Sequence, residues 1–142
     1  MRRAIGSLVA VSEGRWVRAD GRSPLQVSGR LASSTDPSTW SLFADVQRGP
    51  GDGFGVMMGG GLACLDLDNA LQDGVLKGWA RKAVDELRYP VIFSEVSMSG
   101  GGVHVFVRAP EGPGSSNVVG DGRVEWFPSK RFIRCTFNEL II

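Results

Sequence analysis

The sequence is poor in the residues that build metal cages and disulfide frameworks. It has two cysteines, Cys64 and Cys135, and one histidine, His104. At such wide spacing these three make no zinc motif. Both cysteines sit in apolar, strand-like runs, which predicts reduced thiols in a core and a cytoplasmic protein rather than a disulfide. No apolar run approaches the roughly 18 residues that cross a bilayer, so no membrane partner is expected. Charge of one sign is lacking too: 16 Lys and Arg stand against 15 Asp and Glu, a net +1. Nucleic acid would have to be met by local patches and not by bulk charge. The chain has no GxxxxGK[ST] loop, hence no P-loop ATPase. A single histidine also argues against a nickase built on a histidine pair.

What is present suffices for a core. The 142 residues are 42% hydrophobic and 22% charged, the balance of one globular domain over residues 1–142. Glycine is abundant, at 20 residues, and gathers in turns near the candidate site, where backbone can come close to a ligand. The opening MRRAIGSLVAVSEG reads as a first strand or helix; its apolar stretch is short for a signal peptide and is broken by Gly6 and Ser7. The first third is loop-rich. Asp36 and Pro37 start a short helix with Trp40, Phe43 and Ala44 on one face. FGVMMGG and LACLDLD read as strands joined by Gly59–Gly61. Leu71, Val75, Leu76, Trp79, Ala80, Ala83, Val84 and Leu87 recur at helical spacing, which predicts the main helix, stopped by Pro90. VIFSEVS, VHVFVRA, RVEWF and RFIRCT read as strands, with PEGPGSSNVVGDG as a flexible loop. The pattern predicts an α/β (α+β) fold with a mixed sheet and helices packed against it.

Four stretches carry chemistry. In CLDLDNAL, Asp66 and Asp68 stand two apart on a strand and so share a face. Two close carboxylates repel unless a cation or a proton intervenes, and an oxygen-only donor set suits magnesium or manganese. The plainer reading makes Asp68 a helix N-cap and Asp66 a turn residue. In SMSGGGVHVF, Ser97 and Ser99 lead into glycines whose N–H groups can approach phosphate. His104, Phe106 and Arg108 share the following face. A tight hairpin with a core histidine is the plainer reading of this stretch taken alone. In GRVEWF, Glu125 lies among apolar neighbours, where an acid is costly without a partner; a salt bridge or a solvent-facing position is the plainer reading. In PSKRFIRCT, Arg131 either reaches a triphosphate or belongs to a solvated basic edge.

Taken in order, ASSTDPSTW, GGGLACLDLDNAL, SMSGGGVH and VEWF…RFI resemble the primase–polymerase domain of the archaeo-eukaryotic primase superfamily, frequent in phage and plasmid replication proteins. The resemblance implies an RRM-like sheet beside a smaller N-terminal α/β unit, with the active site in the cleft between them. It implies that Asp66 and Asp68 bind catalytic Mg2+ or Mn2+ and that Glu125 completes the metal site. Ser99 and His104, aided by Ser97 and Arg131, would contact the phosphates of an incoming nucleotide. The implied activity is template-directed nucleotidyl transfer by two metal ions, on nucleoside triphosphates and a single-stranded DNA template, with a helicase or other replication protein as a separate partner. Family members carry more sequence after the segment matching RFIRCT, so a domain shortened at its C-terminus and weakened in activity is expected. Two other classes compete. One is a non-catalytic single-stranded nucleic-acid or nucleotide binding module, using Trp16, Arg15 and Arg18 as its surface, although Trp16 reads equally as ordinary core. The other is a metal-dependent nuclease with Asp66, Asp68 and Glu95 as its acids.

Overall fold

Alternation along the strands divides the molecule into layers. The computed structural model describes residues 3–142; Met1 and Arg2, part of the opening segment, lie outside the described residues. The opening segment forms a helix, α1 (Arg3–Ser12), which settles the choice between strand and helix. Then come β1 (Trp16–Asp20), β2 (Ser23–Leu25), β3 (Gly53–Met57), β4 (Leu62–Asp68), β5 (Leu71–Gln72), β6 (Val75–Leu76), α2 (Gly78–Asp85), β7 (Val91–Val96), β8 (Val103–Arg108), β9 (Ser115–Val119), β10 (Gly122–Phe127) and β11 (Phe132–Cys135).

Two sheets result. One has the order β11-β3-β1-β2 and the other β7-β8-β4-β10-β9. All described strand pairings are antiparallel. The expected α+β composition is present, but the expected mixed sheet is not. The reason is local: consecutive strands are joined mostly by tight turns, which suit antiparallel pairing, and the one helical crossover, through α2, joins β4 to β7, which are not neighbours.

The five-stranded sheet buries both faces. Ala63, Leu65 and Leu67 of β4 and Val103, Val105 and Val107 of β8 pack with Ala80 of α2, flanked by Trp79, Ala83, Val84, Trp126, Leu140 and Ile142. The alternate residues Leu62 and Cys64, with Phe93 and Phe106, meet Trp16, Val56 and Ile133 of the four-stranded sheet and Ile5 and Leu8 of α1. Trp16 is at the centre of an aromatic group with Phe43, Phe54 and Phe137. Cys64 and Cys135 are free, buried thiols, as expected.

Three sequence expectations are corrected. The segment from Asp36 forms two 3-10 turns, Pro37–Thr39 and Phe43–Val46, and no α-helix, although Asp36 does cap the first by accepting a hydrogen bond from the Ser38 N–H. Trp40 between them is extended, which breaks the helical face. The main helix begins at Gly78 and not at Leu71. Leu71–Leu76 is instead a hairpin whose turn residues Asp73 and Gly74 have φ of 53° and 76°, the primed turn that an Asp-Gly pair favours. The stretch read as a flexible loop contains β9, an edge strand paired to β10.

Two short crossings connect the sheets and sit against each other. Gly59–Gly61 leads from β3 to β4, and Pro128–Arg131 leads from β10 to β11. The Lys130 N–H donates to the Met58 carbonyl, and the Met58 N–H donates to that of Arg131. This pairing fixes Arg131 at the mouth between the layers. The C-terminal segment returns to the outer edge of β7: Val96 N–H donates to Asn138 and Leu140 N–H to Ser94. No described helix is long and apolar enough to cross a membrane.

Candidate active site

The face of the five-stranded sheet that looks toward the smaller sheet changes character along its strands. On β4, Leu62 and Cys64 belong to the core, whereas Asp66 and Asp68 lie beyond its edge. The period of two that buries the first pair therefore aims the second pair into the space between the sheets. Register does the rest. Asp66 is opposite His104 of β8 on one side and Glu125 of β10 on the other. His104 is in turn opposite Glu95 of β7. A row Glu95–His104–Asp66–Glu125 thus crosses four strands on a single face.

The three acids expected to act together do converge: Asp66, Asp68 and Glu125 present carboxylate oxygens within 4.8 Å of one another. Asp68 is exposed and the other two are half-buried. Burial pushes the Asp66 carboxyl above its usual range; the positive fields of His104 and Arg131 oppose this, and the charges of Asp68 and Glu125 add to it. An acid raised by burial and by two neighbouring acids is a site short of positive charge. The donor set is all oxygen and fits a divalent Mg2+ or Mn2+. The plainer reading of Asp68 as a helix cap fails, because Asn69 follows at φ 55° and the next helix after Asp68 begins only at Gly78.

His104 is almost buried. Its Nδ1 lies 2.9 Å from Oε2 of Glu95, and its Nε2 lies 3.9 Å from Asp66. Burial disfavours the imidazolium, but the hydrogen bond and charge of Glu95, with the charges of Asp66 and Asp68, outweigh it and raise the ring above its ordinary value. The serine turn stands beside it. Ser97 and Ser99 hydroxyls are 3.0 Å apart, and Ser97 Oγ accepts from the Gly102 N–H. A Cβ on Gly102 would meet that Oγ at 2.7 Å and the Leu67 carbonyl at 3.1 Å, so the turn approaches β4 closely enough to crowd any larger residue. Arg131 stacks its guanidinium 4.5 Å from the Phe127 ring and has no carboxylate partner among the described residues.

All seven sequence candidates, Asp66, Asp68, Ser97, Ser99, His104, Glu125 and Arg131, line one cleft of about 840 Å³. Arg22, Pro24 and Ser34 line its opposite wall, and Lys130 and Arg134 join the basic side. Arg22 and Lys130 were not singled out as site residues by sequence reasoning; no spacing ties the first to the acids 40 residues on, and only the sheet-to-sheet cleft unites them. Glu95 was read only as a nuclease acid. It is fully buried and separated from Asp66 by His104. The surface imagined around Trp16 does not exist: Trp16 is core, and Arg15 and Arg18 spend their guanidinium N–H groups on carbonyls of Met57, Met58, Val46, Gly49 and Pro50.

The chain is similar to known proteins. It is 34% identical over 88 residues to a DNA primase-polymerase of Nitratiruptor phage NrS-1, a match that covers 56% of this chain and 12% of that protein. The chain therefore spans a small fraction of that relative's length. Residues 7–134 match the family model of the bifunctional DNA primase/polymerase N-terminal domain. That match takes in both sheets and every residue of the cleft just described, and the chain belongs to this family.

Proposed function

We propose that this domain catalyses template-directed nucleotidyl transfer in phage or plasmid-type DNA replication, taking nucleoside triphosphates and a single-stranded DNA template. The observation that carries the reading is the convergence of Asp66, Asp68 and Glu125 beside His104, Ser97, Ser99 and Arg131 in one open cleft. The strand order supports it. Taking β4, β7, β8 and β10 as first to fourth, the sheet runs 4-1-3-2, the order of an RRM-like ferredoxin fold. The hairpin strand β9 stands where such a fold has its second helix. On this reading residues 1–142 form one catalytic domain, and a helicase or other replication protein is a separate partner.

Asp66, Asp68 and Glu125 would hold the divalent ions. When bound, these would supply Lewis-acid neutralisation of the triphosphate and would activate a 3′-hydroxyl. The chain's own groups do the remaining work. Arg131 and the His104 Nε2 edge face the phosphates and fix their orientation, which lowers the entropic part of the barrier. The Ser97 and Ser99 hydroxyls and the glycine N–H groups of their turn offer further phosphate donors. The buried floor beneath the acids, Leu62, Cys64 and Phe106, keeps the local dielectric low and strengthens each of these interactions.

The test is primer extension on a single-stranded template with ribo- and deoxynucleoside triphosphates, in magnesium and in manganese, with a no-primer lane for initiation. Metal-dependent extension by the wild-type chain, abolished in a folded Asp66→Ala/Asp68→Ala double variant, is the expected result. Equal extension by the double variant would refute the assignment, and release of short fragments from labelled DNA would replace it with a nuclease.

A further inference from the structure

Glu95 has no place in the site as described so far, yet it is one of the largest fully buried side chains in the protein. A buried carboxylate is retained only with partners that repay its desolvation. Glu95 has three, all donors. His104 Nδ1 is 2.9 Å from Oε2. The Thr136 N–H reaches both oxygens at 3.2 Å, and the Phe137 N–H donates to Oε1 at 3.0 Å. These two backbone groups belong to the turn in which the chain leaves β11 and doubles back along β7, with Phe137 at φ 55°. The register of β7 and β8 keeps the carboxylate behind the imidazole, on the side away from Asp66.

We propose that Glu95 is a positioning residue that accepts the Nδ1–H of His104, so that the ring is held with its Nε2 edge toward the phosphate cleft, and that it ties this orientation to the docking of the Thr136–Phe137 turn. Which ring nitrogen acts is set by the hydrogen bond the other one makes. An acceptor-only group is required here because every partner is a donor. The isosteric Glu95→Gln variant shows why. Its amide has one oxygen for three donors, and two of those are fixed backbone N–H groups. The oxygen turns to them, and the NH2 group faces Nδ1. The ring then loses the Nδ1–H anchor, and its Nε2 edge is no longer held against the phosphates. A comparable carboxylate behind a functional histidine is worth about tenfold to a hundredfold in activity.

The inference rests on the reading of His104 as a phosphate contact, but its test does not need activity. His104 is the only histidine in the chain, so 15N side-chain NMR on the full chain reports one ring without assignment. The wild-type spectrum is expected to show a protonated Nδ1 with a hydrogen-bonded, slowly exchanging proton. Glu95→Gln is expected to move the Nδ1 resonance to that of an unprotonated nitrogen while the backbone amide spectrum stays dispersed. In extension assays the variant should raise KM for the nucleotide at least tenfold. A wild-type ring with Nδ1 unprotonated overturns the proposal even if the variant fails to fold, and so do ring shifts unchanged by the substitution. Absence of any DNA synthesis by the wild type would defeat the functional reading and leave the ring spectra to decide the role of Glu95.

Discussion

Three carboxylate oxygens within 4.8 Å, with Asp66 raised by burial and by the charges of Asp68 and Glu125, imply a cost to the metal-free protein. Removing one charge should relieve it. Asp66→Asn is expected to raise the melting temperature in chelator by a few degrees, the equivalent of about 1 kcal/mol in a domain of this size. It should also lose the rise that magnesium or manganese gives the wild type, since a ligand stabilises only the state that binds it. Scanning calorimetry with and without metal reads both effects; a destabilised variant that still responds to metal contradicts the acid cluster as a cation site. The pH dependence has a definite sign. His104 sits above its ordinary 6.5 and Asp66 above its ordinary 3.8, so over both windows the folded state holds more protons than the unfolded one. The stability that His104 contributes is fully present below pH 6.5 and drains away as pH rises through its raised value. Asp66 acts in the same sense as pH rises from 3.8, and Asp52 and Asp121, held low by hydrogen bonds from Arg134 and Lys77, act oppositely only as pH falls into the acid range. Melting temperature in chelator should therefore fall on going from pH 6 to 8, and His104→Asn should flatten that fall; a rise would contradict the balance of charges around the ring. At this scale the sequence was legible for Asp66 and Asp68, because strand alternation alone places them on one face, whereas Glu125 joined them only through the family resemblance. The role of Glu95 was not legible, because a donor turn supplied by Thr136 and Phe137 is visible only once the chain has folded back.

Between β4 and β10 the register Asp66 to Glu125 depends on one glycine. A Cβ on Gly122 would lie 2.1 Å from the Asp68 carbonyl and 2.3 Å from the Trp79 ring. Neither can yield easily: the first is strand backbone, and the second is held by its indole N–H donating to Asp121. Gly122→Ala should cost about 1–3 kcal/mol, as overpacking does, and should slide β10 off β4 enough to spread the acids. The matching control is Gly112→Ala, where nothing stands within 4 Å. Unfolding in urea and extension rates should both suffer in the first variant and in neither case in the second; an undisturbed Gly122→Ala would show that the strand pair tolerates another spacing. Elements were unevenly legible. Alternation in VHVFVRA and LACLDLD is carried through into β8 and β4, since those strands bury both faces. The helical spacing from Leu71 overrode an Asp-Gly turn signal that was there to be read, and β9 was missed because its residues are mostly exposed and polar, leaving no alternation to detect.

At the scale of the whole molecule, two large antiparallel sheets are joined at the Met58–Lys130–Arg131 crossing, with the acids on one layer and Arg22 on the other. Trp16 fills the space between the layers and is wholly buried among Phe43, Phe54 and Phe137. Trp16→Ala is expected to cost about 3–5 kcal/mol and to weaken triphosphate binding as the layers lose their fixed separation; a stable variant with full affinity would place the cleft's rigidity elsewhere. Strand pattern alone gave no access to this arrangement, which only the family resemblance implied, because nothing in FGVMMGG or RFIRCT says that these strands leave the sheet their neighbours join. The central claim is that Asp66, Asp68 and Glu125 hold cations against which His104 and Arg131 orient a triphosphate. Isothermal titration of a nucleoside triphosphate into the wild-type chain, in manganese and then in chelator, tests it most directly, with the Asp66→Ala/Asp68→Ala variant alongside. Binding that needs manganese and vanishes in the variant is the predicted result. Binding of equal strength in chelator, or undiminished in the variant, would contradict the account.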